Sequence, residues 1–225
     1  MKDILIYHGL GTGKTVTAIN IINILYNKYN NINCILLIKK SLKNDPWINN
    51  LNVWLSENKE DKFKNIHWVF YDSPKADVVF FDIIKNINLN NKNLFIFDEV
   101  HNFISGVYNN IRSNKFRLLS IYNYIINEKK NNTNNNYVIL LSGTPIINNV
   151  FELGLIFNLL RPNIFPNNEN KFNELFIKND ETINTSNINL FQRRILGLVS
   201  YYKGEIKNTF AIKNIIIRNI NMKYY

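Results

Sequence analysis

Residues His8-Gly9-Leu10-Gly11-Thr12-Gly13-Lys14-Thr15 stand between a short apolar block, Ile4–Tyr7, and an amphipathic run, Lys14–Tyr29. Alternate glycines running directly into Lys and Thr leave few folds open. Glycine lets the backbone turn so that successive N–H groups point at one place, and a strand entering the turn with a helix leaving it makes a phosphate cradle. The positive end of the helix dipole adds to that field. In such a loop Gly9, Leu10, Gly11, Thr12 and Gly13 surround the phosphates, Lys14 reaches the β- and γ-phosphates, and the Thr15 hydroxyl ligates Mg2+. The strict pattern has glycine where His8 stands, yet every phosphate-contacting residue type is kept.

Apolar blocks and amphipathic stretches alternate along the chain, which predicts an α/β fold with a mostly parallel sheet flanked by helices. Strands are expected at Ile4–Tyr7, Asn33–Lys39, Ile66–Tyr71, Leu94–Asp98 and Tyr137–Ser142, and helices at Lys14–Tyr29, Pro46–Glu57, Ser73–Asn86, Lys115–Glu128 and Val150–Leu160. The strand blocks lack clean alternation, as strands buried on both faces do. Asp45 before Pro46 reads as an N-cap, and Asn149 as the cap of the helix at Val150. The Asn-rich stretches Asn86–Asn93, Asn131–Asn136 and Asn163–Asn170 read as solvated loops. Residues 161–189 are polar and weakly patterned, Leu190–Lys203 is helical or mixed, and Ala211–Met222 reads as a strand. The expected division is a main lobe over 1–162, a variable extension over 163–210 that completes it, and a strand or linker over 211–225.

A second chemical site follows the block Leu94–Phe97, where Asp98-Glu99-Val100-His101 begins. Two acids at the carboxyl end of a buried strand sit where ligands bind in open α/β sheets. Asp98 would hold Mg2+ through water, and Glu99 would orient and polarise an attacking water. His101 either relays the state of the nucleotide or fills space. The third site, Ser142-Gly143-Thr144-Pro145, again ends an apolar block; the hydroxyls of Ser142 and Thr144 can couple the acids to the γ-phosphate, while Gly143 and Pro145 fix the turn.

Composition adds little. The net charge is +10, which suits a nucleic-acid partner, but the chain is rich in Asn, Ile, Lys, Tyr and Phe, all with A/T-rich codons, so the lysines carry weak information. No apolar run is long enough for a transmembrane helix and no signal peptide is seen, so an intracellular protein with no membrane partner is expected. Cys34 sits in an apolar block and reads as a buried strand residue. Trp47, Trp54 and Trp68 read as core residues rather than base-stacking platforms.

The order GLGTGKT, DEVH, SGTP resembles the superfamily 2 helicases and SNF2-type translocases. Phe151–Leu153, Asn158–Pro162, Arg194–Gly204 and the histidine before the first glycine are similar to the helicase-like ATPases of large DNA viruses, the group of the poxvirus-type early transcription factor small subunit and nucleoside triphosphate phosphohydrolase I. The resemblance runs from Ile4 to about Met222. It implies a RecA-like P-loop NTPase lobe with a short C-terminal extension, ATP and Mg2+ as cofactors, double-stranded DNA as the track, and RNA polymerase as a further partner. It implies a virion or a cytoplasmic replication site as the location, and DNA contacts at Lys39, Lys40, Ser41 and Lys43, which otherwise read as a solvated basic turn. A second RecA-like lobe, in cis or in trans, is expected to bring the arginine finger; Arg112 and Arg117 are expected in a loop and at a helix start.

Three readings follow. The first is the ATP-binding lobe of a DNA-dependent ATPase of viral transcription type, weak as an isolated chain. A nucleotide kinase explains the first site but not DEVH or SGTP. A non-hydrolysing nucleotide-binding module, left by truncation or gene splitting, is the alternative from another class.

Overall fold

The first apolar block forms β1 (Ile4–His8), and the run after the glycine turn forms α1 (Lys14–Tyr29). The computed structural model describes residues 3–29, 32–55, 59–88, 91–131, 136–178 and 182–204. Within these the chain continues through β2 (Ile32–Ile38), a 3-10 turn (Lys40–Leu42), a kinked helical stretch (Lys43–Ile48), α2 (Asn49–Trp54), α3 (Lys59–Lys64), β3 (Ile66–Phe70) and α4 (Ala76–Asn86). It ends with β4 (Lys92–Phe97), α5 (Val100–Arg112), α6 (Arg117–Asn131), β5 (Asn136–Ser142), α7 (Phe151–Leu160), α8 (Glu169–Phe176), α9 (Ile188–Ile195) and β6 (Val199–Tyr202).

The strands form one sheet in the order β3-β2-β4-β5-β1-β6, and every pair is parallel. Side chains alternate between two cores. Cys34, Leu36, Ile38, Leu94, Ile96, Ile139 and Leu141 face α1 and α2, while Ile35, Leu37, Phe95, Phe97, Val138 and Leu140 face α4 to α7. Both faces are covered, and this is why the strand blocks read as unbroken hydrophobicity. From β1 the chain crosses to β2 beyond β5 and β4, so the carboxyl ends of β1, β5 and β4 border the crevice where such sheets bind ligands.

At the opposite edge the buried Asn33, Asn93 and Asn136 form a side-chain ladder across β2, β4 and β5. Asn33 Nδ2 donates to Asn93 Oδ1 at 2.8 Å, and Asn93 Nδ2 to Asn136 Oδ1 at 2.9 Å. The three residues are in register, so a one-residue slip would break the ladder and move the strands' apolar side chains to the opposite core. Two of them end stretches expected to be solvated loops.

Several expectations need correction. Asp45 is extended (φ −123°, ψ 121°), as residues before proline are driven to be, and helical backbone starts after it, which is the backbone geometry of an N-cap; the helix expected to reach Glu57 ends at Trp54. A full helix, α5, begins within DEVH at Val100, so Arg112 closes a helix instead of lying in a loop. The region 161–189, read as weakly patterned, holds α8, whose Phe172 and Phe176 are buried. Asn149 does cap α7: its Oδ1 accepts from Phe151 N at 2.8 Å. The strand expected at Ala211–Met222 lies outside the described residues.

Candidate nucleotide site

The glycine turn after β1 folds around the Lys14 ammonium. Nζ donates to the carbonyls of His8 at 3.2 Å and Gly9 at 3.1 Å, and the Thr12 hydroxyl donates to Gly9 O at 2.7 Å. Gly11 and Gly13 have φ of 70° and 80°, the left-handed region that favours glycine. Leu10, Gly11 and Gly13 are exposed, whereas Lys14 and Thr15, in the first turn of α1, are half-buried.

The last strand supports this loop from the sheet edge. Gly9 N donates to Tyr202 O at 2.9 Å, His8 Nε2 pairs with Ser200 Oγ at 2.9 Å, and the His8 and Tyr202 rings meet edge to face. A Cβ at position 9 would lie 2.4 Å from Lys203 O, so only glycine fits there without movement. Val199–Tyr202 falls in the stretch Leu190–Lys203 expected to be helical or mixed, and it forms a strand instead. Nothing local in it announced that it would pair with β1.

β5 lies between β1 and β4, and so brings the SGTP turn between the other two sites. A Cβ at Gly143 would be 3.7 Å from Lys14 Nζ. Ser142 is fully buried; its Oγ accepts from Thr144 N at 3.0 Å and lies 2.8 Å from His101 Nδ1. Thr144 itself is exposed. The turn beyond is held by the buried Glu152 of α7, whose Oε2 accepts from Ile147 N at 2.9 Å and Asn148 N at 3.3 Å.

Asp98, at the end of β4, is 5% exposed. Its Oδ2 accepts from the indole Nε1 of Trp47 at 2.7 Å and its Oδ1 from Glu99 N at 3.0 Å. Burial pushes the Asp98 carboxyl above its ordinary range; the Trp47 hydrogen bond opposes this, the Glu99 charge adds to it, and the Glu99 amide and Lys14 draw it back. Glu99 adopts a left-handed backbone (φ 49°, ψ 52°) that starts α5, and the Tyr71 hydroxyl donates to Asp98 O at 3.1 Å. His101 lies 3.3 Å from Glu99 Oε2 through Nδ1. Burial lowers its pKa, and the charge of Lys39 lowers it further.

The basic turn stands apart from this cluster in part. Lys40 and Ser41 are exposed, Lys40 N donates to the Asp72 carboxylate, and Lys43 Nζ stands 5.7 Å from the Trp68 ring and 5.8 Å from that of Phe70. Lys39 is half-buried at the end of β2, on the side that His101 feels. Arg117 donates to Tyr71 O and Ser73 O, and Arg112 stacks over Tyr108. The Arg117 guanidinium is therefore occupied in the scaffold.

The donors suit magnesium held mainly by phosphate and water. Thr15 and Asp98 offer a hydroxyl and a buried carboxylate whose raised pKa a cation would reverse. Among the described residues no cluster of three His, Cys, Asp or Glu side chains forms a self-sufficient metal cage. No helix among those residues is long and apolar enough to cross a membrane.

The chain matches the family described as type III restriction enzyme, res subunit, over residues 1–147 and the SNF2-related domain over residues 120–225. It is 47% identical over 236 residues to a protein of Acanthamoeba polyphaga mimivirus provisionally named ATP-dependent RNA helicase R350, covering 99% of this chain and 29% of that protein. It is 34% identical over 227 residues to nucleoside triphosphatase I of Melanoplus sanguinipes entomopoxvirus, covering 99% of this chain and 34% of that protein. The chain thus spans about a third of the length of these curated relatives. Among solved structures it is similar to the Sulfolobus solfataricus SWI2/SNF2 ATPase core in complex with dsDNA, with a TM-score of 0.60 and 15% identity over 92% of this chain and 41% of that one, a likeness of fold. The chain belongs to the type III restriction enzyme res-subunit family, within the superfamily 2 helicase-like ATPases and close to their large-DNA-virus members.

Proposed function

We propose that this chain is the ATP-binding lobe of a DNA-dependent ATPase of viral transcription type. The observation that carries the reading is the convergence of Lys14, Asp98, Glu99 and Ser142 at the carboxyl ends of β1, β4 and β5. In this reading Gly9 to Thr15 bind the triphosphate, Lys14 neutralises its β- and γ-oxygens, and Thr15 and Asp98 hold Mg2+. When bound, Mg2+ offsets charge on the phosphates during transfer to water. Glu99 orients that water, and the His101–Ser142 pair reports its state to the turn at Thr144.

The track in this reading is double-stranded DNA, contacted near Lys39, Lys40, Ser41 and Lys43. The dsDNA-bound structural neighbour supports DNA, while the name of the mimivirus relative points to RNA. Residues 1–162 form the core of the lobe, 163–210 complete it, and 211–225 lead toward a second RecA-like lobe. That lobe supplies an arginine finger, worth roughly 10³–10⁵ in rate in other phosphate-loop enzymes. The isolated chain is then a slow ATPase that DNA stimulates little. RNA polymerase is the proposed partner, and a virion or cytoplasmic replication site the proposed location.

The test is nucleotide binding by the chain and its Lys14→Ala variant, read from the anisotropy of a labelled ATP in Mg2+. The variant should lose most of its affinity. Unchanged affinity would remove the phosphate-loop assignment. Steady-state hydrolysis with duplex DNA, duplex RNA or neither, before and after adding the second lobe of a relative, then separates the tracks. Strong DNA-stimulated turnover by the 225 residues alone would refute the half-motor reading.

A further inference from the structure

We infer that Trp47 is a positioning residue for the magnesium site, and that its indole N–H sets the carboxylate plane of Asp98. The inference rests on the proposed function. Trp47 lies in the kinked stretch between β2 and α2 and has no exposed surface. A buried indole N–H needs an acceptor. Here it is a carboxylate at 2.7 Å, a short charge-assisted bond made by a ring packed in the α1-side core.

The Glu99 amide holds the other oxygen at 3.0 Å. Two donors, one on each oxygen, fix the rotation of the carboxylate, and the remaining lone pairs are left for the cation or its water. Tyr71 fixes the backbone at the same residue through Asp98 O. An indole fixed by packing on every side thus sets the geometry of a metal ligand from behind, without facing the nucleotide. Outer partners of metal ligands commonly govern metal affinity in this way, and their loss costs roughly 10–100-fold.

The experiment compares the full 225-residue chain with Trp47→Phe, which keeps an aromatic ring and removes the donor. Affinity for labelled ATP is measured in Mg2+ and in EDTA. The variant should lose about tenfold in Mg2+, the low end of that range, with its affinity in EDTA unchanged. An undiminished gain from Mg2+ in the variant overturns the inference, and so does an equal loss in both conditions, which would make Trp47 a packing residue only. Absence of Mg2+-dependent binding in the parent chain removes the proposed function and the inference with it. If Trp47→Phe does not fold, the indole N–H resonances of the parent are followed instead, assigned through Trp54→Phe and Trp68→Phe. The Trp47 signal should move when Mg2+ is added to the nucleotide-bound protein. A signal indifferent to Mg2+ overturns the inference.

Discussion

Ser142 Oγ, at the end of β5, lies 2.8 Å from Nδ1 of His101 in the first turn of α5. The partners on both sides of the ring fit one neutral tautomer. Nδ1–H donates to Ser142 Oγ and faces Glu99 Oε2 at 3.3 Å, while Nε2 accepts from Asn102 Nδ2 at 2.9 Å. The water-orienting candidate and the SGTP turn therefore share one proton donor, and a shift at either is felt at the other.

Acid should weaken the fold through its histidines. Burial lowers the pKa of His8, His67 and His101, so the unfolded chain binds more protons in the window between those depressed values and the ordinary histidine value of about 6.5. The contribution is full above that window and is lost as pH falls through it. Urea midpoints should be lower near pH 5 than near pH 7.5, and His101→Asn should flatten that difference. An unchanged slope in the variant would mean that His101 titrates alike folded and unfolded.

Glu99→Gln should bind Mg2+-ATP as the parent does and lose turnover by at least about 100-fold, the lower end for a positioned acid or base. The amide keeps the shape and loses the charge that polarises water. The comparison belongs in the presence of a second lobe, where the parent rate is measurable; equal rates would exclude Glu99 as the water-orienting residue.

Gly9→Ala should damage the phosphate loop from behind. The new methyl would meet the Lys203 carbonyl at 2.4 Å, and backbone cannot swing aside as a side chain does. A stability loss of about 1–3 kcal/mol is expected, with a parallel loss of ATP affinity. A Gly9→Ala protein as stable as the parent would show that residues 199–204 do not brace the loop.

Glu152→Ala should cost about 1–3 kcal/mol, because the amides of Ile147 and Asn148 lose their shared acceptor. Glu152→Gln, which keeps one acceptor oxygen, should cost less. Denaturant unfolding distinguishes the two, and equal costs would point to lost packing rather than lost hydrogen bonds.

The chemistry of the site was legible because it is local: a glycine turn between strand and helix, two acids after an apolar block, hydroxyls at a strand end. α5 was not among the expected helices, although its spacing is present in the sequence. Val100, Phe103, Ile104, Val107, Tyr108 and Ile111 recur at helical spacing, interrupted by the polar residues Asn102, Asn109 and Asn110. Trp47 was not legible, because its apolar body predicts a core position and only the fold puts its N–H beside Asp98. The asparagine ladder was hidden for a similar reason: composition marks Asn as loop-forming, and pairing of Asn33, Asn93 and Asn136 appears only when three strands are in register. β6 needed a partner almost 200 positions away.

That last pairing has a consequence for how the protein is made. β1 is synthesised before the other strands of its sheet, yet its neighbours are β5 and β6, and the carbonyls that close on Gly9 belong to Tyr202 and Lys203. At about 5–20 residues per second of synthesis, the loop after β1 waits roughly 10–40 s for the strand that supports it. Contacts of such long separation are slow to form. A nascent chain stalled before β6 would carry every motif residue of the site and still lack the wall against which its phosphate loop is set.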